Sequence, residues 1–545
     1  SVVWPSLIVG SLASISLMIY DHRSQAAGIV AVVAPCVNTG PPEESSYPIG
    51  APMFALKNLE IASFPTKTRM PFRYGIAELT AMPHVFVRAT VEASGAAAAA
   101  PAAPGARVVH GVAAEGLLPR WFEKDPNAPF QRDLDRLWEV IQHAGRQALA
   151  YGEFEQPFHL WRDLYDDQIT WGEANGFAPL LAHFGLTLVE RCVIDAVCRA
   201  HGRSLAALLA DGTVAVDADR VEDAPSAAAL RSVLQAAPLG SVHARHTVGM
   251  ADPLTRADVV EPLRDGLPES FEEDIDYYGL THFKIKVRGD VEADINRLEA
   301  IRSIIGSKVS GDFRFTLDGN ETFLDVDTFR AFWDGVRSSP GLTDFFRHLI
   351  FVEQPFKREI ALSDEVGRAL TSWDDAPPMI IDESDGSLAS LPQALARGFQ
   401  GTSHKNCKGV FKGILNRARI ADRQAEAPDA GYVMSAEDLV NIGPVALLQD
   451  LAVVAKLGIT HVERNGHHYY RGLSMFPGTI QNQSRDAHPD LYRTHRDGYP
   501  ELRVEDGLIS TDSINAAPFG VGFVPEGDYV PLAEWAKPVA PGSGS

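Results

Sequence analysis

Beyond residue 240 the chain alternates short apolar runs with amphipathic stretches, and eight such runs can be counted: SVHARHTV, HFKIKV, FRFTLD, HLIFVE, PMIID, GTSHK, GYVMS and THVE. Each is short, largely apolar and bounded by polar turns, the pattern of a strand in a parallel sheet. VEADINRLEAIRSIIG, DVDTFRAFWDGV, LSDEVGRALTSW, SLASLPQALARG, KGILNRARIADRQAEA and VALLQDLAVVAKLG stand between successive runs from the second to the eighth and read as helices. A strand, a helix and a further strand connect with one handedness and in parallel. Eight such units close into a barrel with helices outside. Only the first crossover lacks a clear helix, and PLRDGLPESFEEDIDYYG must fill it.

A parallel barrel carries its functional side chains at the carboxyl ends of its strands. Asp318 in FTLDGN, Glu353 in LIFVEQP and Asp382 in MIIDES occupy that position on three successive strands. Three carboxylates converging at one mouth make a hard, all-oxygen ligand set, which suits Mg²⁺, with Mn²⁺ as the alternative ion. Zinc prefers histidine or cysteine.

Lysines flank these acids. Lys284 and Lys286 end the second strand, and residues two apart share a face, so both point into the mouth or both point away. Two ammonium groups on one face are expected to lower each other's pKa, which makes a lysine a base near neutral pH. Lys405, at the end of the sixth strand, approaches from another side, with Lys408 as its competitor for the role. Bases on two faces of one carbon permit racemisation, or abstraction on one face with protonation on the other.

The N-terminal part reads as an α+β domain over residues 47–210. APMFALKNLEIASF and HVFVRATVEA read as strands separated by the loop TKTRMPFRYGIAELTAMP. An Ala-rich insertion near 94–106 leads to a third strand, RVVHGVAAE, and RDLDRLWEVIQHAGRQALAYG and LVERCVIDAVCRAHGRSLAALL read as helices. The barrel is expected over 241–500, a return segment to the first domain over 501–535, an irregular extension over 1–46 and a flexible tail over 536–545.

The net charge of −22, from 49 basic and 71 acidic residues, argues against nucleic-acid partners and an anionic membrane surface. Four cysteines, Cys36, Cys192, Cys198 and Cys407, lie far apart with no CxxC pair and suggest neither a cysteine zinc site nor a disulfide framework. A cytoplasmic location is the expectation. The first twenty residues lack charge and look like the apolar part of a signal peptide, but Pro5 interrupts the run and no basic segment precedes it.

Taken in order, the KxK at Lys284 to Lys286, LDGN at Asp318, VEQP at Glu353, DES at Asp382 and HKNCKG at Lys405 resemble the enolase superfamily. The likeness is to the muconate-lactonizing-enzyme subgroup of the mandelate racemase/muconate lactonizing enzyme family, since GYVMSAEDL offers no histidine on the seventh strand. It extends from about Tyr47 to Leu532; KNCKGVFKG stands where the family commonly has a lysine followed by a GG turn. The resemblance implies a modified TIM barrel of (β/α)7β type under an N-terminal α+β cap, completed by the C-terminal segment. It further implies a metal at Asp318, Glu353 and Asp382, catalysis by Lys284, Lys286 and Lys405, and a homo-oligomer.

The expected activity is abstraction of the proton α to a carboxylate, through an enolate, leading to racemisation, epimerisation or cycloisomerisation of a small carboxylic acid. An acid-sugar-type dehydratase is an alternative, as are a Schiff-base aldolase and a non-catalytic barrel binding protein. Substrate contacts are expected from Arg69, Phe72, Arg73 and Tyr74, from Asn320 and Glu437, and from His467; Trp121 is a further candidate.

Overall fold

A computed structural model of the chain describes residues 53–74, 77–95 and 107–535. The expected extension over 1–46, the greater part of the Ala-rich insertion and the tail after residue 535 lie outside the described residues.

All eight barrel strands form where the apolar runs lie. They are Ser241–Val248, His282–Lys286, Arg314–Asp318, Leu349–Glu353, Met379–Ile381, Gly401–His404, Val433–Ala436 and His461–Arg464. Each pairs in parallel with the next, and the eighth returns to the first with His461 opposite His243 and Arg464 opposite His246, which closes the barrel. The weak first crossover is filled by a two-turn helix, Phe271–Tyr278. Glu272, Glu273 and Asp274 lie in its first turn, where negative charge suits the helix dipole, and it stops at Gly279 with φ 64. So short a helix offers little periodicity to read.

In the cap, β1 (Met53–Tyr74), β2 (Ala77–Ser94) and β3 (Arg107–Gly116) form an antiparallel sheet. The segment expected as a loop, TKTRMPFRYGIAELTAMP, instead continues the hairpin of β1 and β2. Thr66 pairs with Met82, Lys67 with Ala81 and Phe72 with Leu79, with a register shift between Lys67 and Phe72. Pro65 and Pro83 face each other in this arm, and Pro71 sits in the irregular stretch. Prolines and a bulge break the alternation by which a strand is recognised.

Helix Pro179–His201 is buried along nearly its whole length. It approaches β3 so closely that a Cβ on Gly111 would stand 2.0 Å from the carbonyl oxygen of Cys192, so only glycine fits there. From its other side Glu190 accepts hydrogen bonds from the backbone N–H groups of Val410 and Phe411 (3.0 and 2.8 Å), at the start of barrel helix Val410–Glu426. The cap helix thus caps a barrel helix.

Later segments tie the two parts together. Leu508–Ser510 runs antiparallel to the first barrel strand, and Val530–Pro531 pairs with Glu60 and Ile61 of β1. One continuous apolar core runs through cap and barrel. Cys192, Cys198 and Cys407 are buried free thiols. Among the described residues no helix is long and apolar enough to cross a membrane.

Candidate active site

Strand alternation turns Lys284 and Lys286 to the same, inward side, as their spacing predicts. The Lys284 ammonium lies deep and buried, with carboxylates from four strands around it. Asp318 Oδ2 is at 3.0 Å, Glu353 Oε2 at 2.8 Å, Glu437 Oε2 at 2.9 Å and Glu463 Oε2 at 2.9 Å. Burial pushes its pKa down, but Asp318, Glu353, Glu437 and Glu463 more than reverse this and hold it well above the ordinary lysine value. The expected mutual lowering of the lysine pKa values is therefore not what governs Lys284: anions outnumber cations around it. Lys286, nearer the mouth, reaches Asp318 Oδ2 and Asn320 Oδ1, each at 2.6 Å.

The sixth strand faces this group with the opposite balance. Lys405 Nζ is 2.5 Å from Asp382 Oδ2, and Lys408 Nζ is 2.9 Å from Asp382 Oδ1. Burial alone would raise the Asp382 carboxyl, but Lys405 and Lys408 hold it well below the usual carboxylate range. Lys405 is itself pushed up: burial lowers it, and Asp382 overrides that. Both lysines are buried, yet they differ in direction. Lys405 lines the pocket at the mouth and lies 4.5 Å from the centroid of the Trp121 ring. Lys408 turns back to donate to the carbonyl oxygen and Oγ of Ser403, at 3.1 and 2.8 Å.

Of the expected contact residues, Phe72, Asn320 and Trp121 line this pocket. The cap hairpin delivers Phe72, whose ring centroid is 4.5 Å from that of Tyr469. Glu437 lies deeper, where Arg245 of the first strand pairs with it at 2.5 Å. Arg69 does not reach the pocket. It pairs with Asp265 at 2.7 and 2.8 Å and donates to the carbonyls of Pro268 and His468, fastening the hairpin to barrel loops. Arg73 is exposed and paired with Glu78. The side chain of Tyr74 lies outside the described residues. His467 is also away from the pocket, because the chain after the eighth strand makes a helical turn, Gly466–Tyr469, instead of continuing extended.

Several pocket residues were not anticipated. Glu463 stands at the end of the eighth strand, the same signal that singled out the other acids. Lys124 follows PRWF in a cap loop, and nothing local marks it. It forms ion pairs with Glu321 and, at 3.1 Å, with Glu383. Arg358 pairs with Glu321 at 2.7 Å and donates to the carbonyls of Phe122 and Trp121, so the loop carrying Trp121 is pinned over the mouth.

No family model matches the sequence, and no curated protein matches it. Solved structures do. A mandelate racemase/muconate lactonizing protein from Herpetosiphon aurantiacus superposes with a TM-score of 0.52 at 15% identity, covering 86% of this chain and 98% of its own. A dipeptide epimerase from Enterococcus faecalis V583, complexed with Mg and the dipeptide L-Leu-L-Tyr, gives 0.50 at 16% identity, covering 86% and 99%. An enolase from Streptomyces coelicolor gives 0.50 at 14% identity, covering 85% and 94%. The chain has the fold of these proteins.

That fold raises the question of whether the acids here suit a divalent cation. Among the described residues the one group of three metal-binding side chains whose ligand atoms all lie within 4.8 Å of one another is elsewhere, at His246, Asp274 and His467. Asp318, Glu353 and Asp382 are not closed into such a set, because the Lys284 ammonium stands among the acids and two lysines hold Asp382. Their chemistry nevertheless fits. All the donors are carboxylate oxygens, and four acids surround the one ammonium of Lys284. Glu353 Oε2 is buried and accepts no directed hydrogen bond, although Lys284 Nζ is near. Burial, then Asp318 and Glu437, push the Glu353 carboxyl well above its usual range.

Proposed function

We propose that this protein is an enzyme of the enolase superfamily that removes the proton α to the carboxylate of a small acid, giving racemisation, epimerisation or cycloisomerisation. One observation carries the reading: Lys286 and Lys405 line a single pocket from the second and sixth strands, on opposite sides of an eight-stranded barrel. A carbon held between them presents one face to each.

Asp318, Glu353 and Asp382 are the residues that would hold Mg²⁺, or Mn²⁺ as the alternative, which supplies positive charge against the negative charge developing on the substrate carboxylate. The chain's own groups do the rest. Lys286, at the mouth, takes the α proton on one face. Lys405, kept protonated by Asp382, returns a proton on the other. Phe72, Leu118, Trp121 and Val440 give the pocket an apolar wall that excludes water beside the reacting carbon. Lys284 stays charged and fixes the acids of four strands about one centre.

The test is solvent exchange. Dipeptides are suitable first probes, because the Enterococcus epimerase structure holds one. N-acyl amino acids and other small α-substituted acids complete the panel. Incubation in D₂O with Mg²⁺ is expected to place deuterium at the α position, and chelation is expected to stop it. Exchange that survives thorough chelation, or none with any acid of the panel, would overturn the proposal.

A further inference from the structure

A second cluster of ionisable groups lies outside the barrel wall and takes no part in the proposed chemistry. Arg245 points into the barrel, so its neighbour His246 points out. Asp274 reaches it from helix Phe271–Tyr278, and His467 and His468 come from the turn after the eighth strand. All four are buried. His246 Nδ1 is 3.0 Å from His467 Nε2, and His246 Nε2 is 3.6 Å from Asp274 Oδ2.

Two buried atoms here are unsatisfied. Asp274 Oδ2 and His467 Nδ1 have no hydrogen-bond partner, and the nearby Arg69 guanidinium is committed to Asp265 and to carbonyl oxygens. A buried carboxylate oxygen without a partner is costly, and a cation removes the cost. Each of His246, Asp274 and His467 places one ligand atom within 4.8 Å of the other two. Ligand atoms roughly 2.0–2.2 Å from a zinc ion stand about 3.3–3.6 Å apart in a tetrahedron; because His246 meets His467 through Nδ1 and Asp274 through Nε2, its ring must turn to offer one nitrogen to an ion shared by all three.

We propose that His246, Asp274 and His467 hold a divalent transition-metal ion of the zinc type, in a site separate from the acids at the barrel mouth. Two imidazoles and one carboxylate favour such an ion over Mg²⁺. His468 supports the ligand set from behind, its Nδ1 3.0 Å from Asp274 Oδ1, as outer partners of metal ligands do. His467 also borders a cavity lined by Tyr278, Asn441, Arg464 and Tyr492.

The position assigns the ion a structural role. It would join the first strand, the first crossover helix and the turn after the eighth strand, which together form the seam where the barrel closes. The same turn receives Arg69 on the carbonyl of His468, so the seam also anchors the hairpin that brings Phe72 to the pocket.

The full-length protein, stripped with chelator and then dialysed against Zn²⁺ or Co²⁺, tests this. One equivalent of zinc is expected to be retained in the wild type and in Asp318→Asn alike, with a rise in Tm on the order of 3–5 °C over the stripped protein. Cobalt is expected to show the visible bands of a low-coordinate site with nitrogen ligands. Asp274→Asn and His246→Gln are expected to lose the equivalent, the bands and the Tm rise. If zinc leaves the Tm of the stripped wild type unchanged, or if the retained zinc disappears in Asp318→Asn, the proposal fails, and neither result depends on the cluster variants folding. Undiminished binding by a folded Asp274→Asn overturns it as well, leaving a neutral hydrogen-bonded chain of histidines.

Discussion

The two sides of the barrel mouth carry opposite surpluses of charge. On one, Asp318, Glu353, Glu437 and Glu463 surround the deep ammonium of Lys284, with Lys286 on Asp318 and Arg245 on Glu437, four acids to three cations. On the other, Lys405 and Lys408 share Asp382 while Lys412 pairs with Asp385, three lysines to two acids. The acid-rich side is built to attract further positive charge, and the lysine-rich side already holds its own. A substrate carboxylate entering the pocket meets a field that runs from one side to the other, and this orients it before any proton moves.

The largest effects should come from removing the lysines that face the pocket. Lys286→Ala is expected to lower kcat by about 10³-fold or more, read from α-proton exchange by NMR. Lys405→Ala should lower racemisation similarly while one enantiomer still exchanges its proton with solvent. Equal loss of exchange for both enantiomers would break the assignment of one face to each side. On the acid-rich side, Glu437→Ala strips Arg245 of its buried partner and should cost about 3–5 kcal/mol in urea unfolding. On the lysine-rich side, Lys408→Met leaves Asp382 paired with Lys405 and should cost about 1–2 kcal/mol. A reversed order would mean that Arg245 depends less on Glu437 than the opposite side depends on Lys408.

Behind the lysine-rich side, Glu190 titrates in a measurable range. Burial raises its carboxyl to about 7, against the opposing hydrogen bonds from Phe411 and Val410. Its folded pKa exceeds its unfolded one, so its stabilising contribution is complete below the ordinary glutamate value and is lost as pH rises through about 7. Thermal unfolding of wild type against Glu190→Gln is expected to show an extra loss in the wild type of about 1–3 kcal/mol between about pH 5 and pH 8. The smallest effect belongs to Arg73, which is exposed and lies away from both sides. Arg73→Ala should change stability by less than about 0.5 kcal/mol and leave turnover unchanged.

The barrel was legible because each strand and helix carries its own period, and the ends of strands are where polar residues follow apolar ones. Asp318, Glu353, Asp382 and both inward lysines can be found that way, and Glu463 obeys the same rule. The cap contributions were less legible. Trp121 is a candidate in the sequence, but Lys124 comes to the pocket because Arg358 holds the adjoining Trp121 and Phe122 carbonyls, contacts between residues more than 230 positions apart. Such a contact leaves no local trace. Arg69 and Arg73 looked alike in sequence, yet one is locked between cap and barrel and the other faces water. His467 follows the eighth strand directly, but the helical turn there carries it away from the pocket.

The pairing of Val530 and Pro531 with Ile61 and Glu60 bears on how the molecule is assembled. The edge of β1 that these residues cover belongs to the first described strand of the chain, and the covering segment follows the whole barrel. Glu153 and Phe154 pair part of that edge from within the cap, but its Glu60–Ile61 stretch waits for its partner until the barrel has left the ribosome. Contacts of such sequence separation form slowly. The folding hazard of this protein therefore lies in its cap, and substitutions near residue 530 should reveal themselves in the yield of soluble protein before they register in the rate of any reaction.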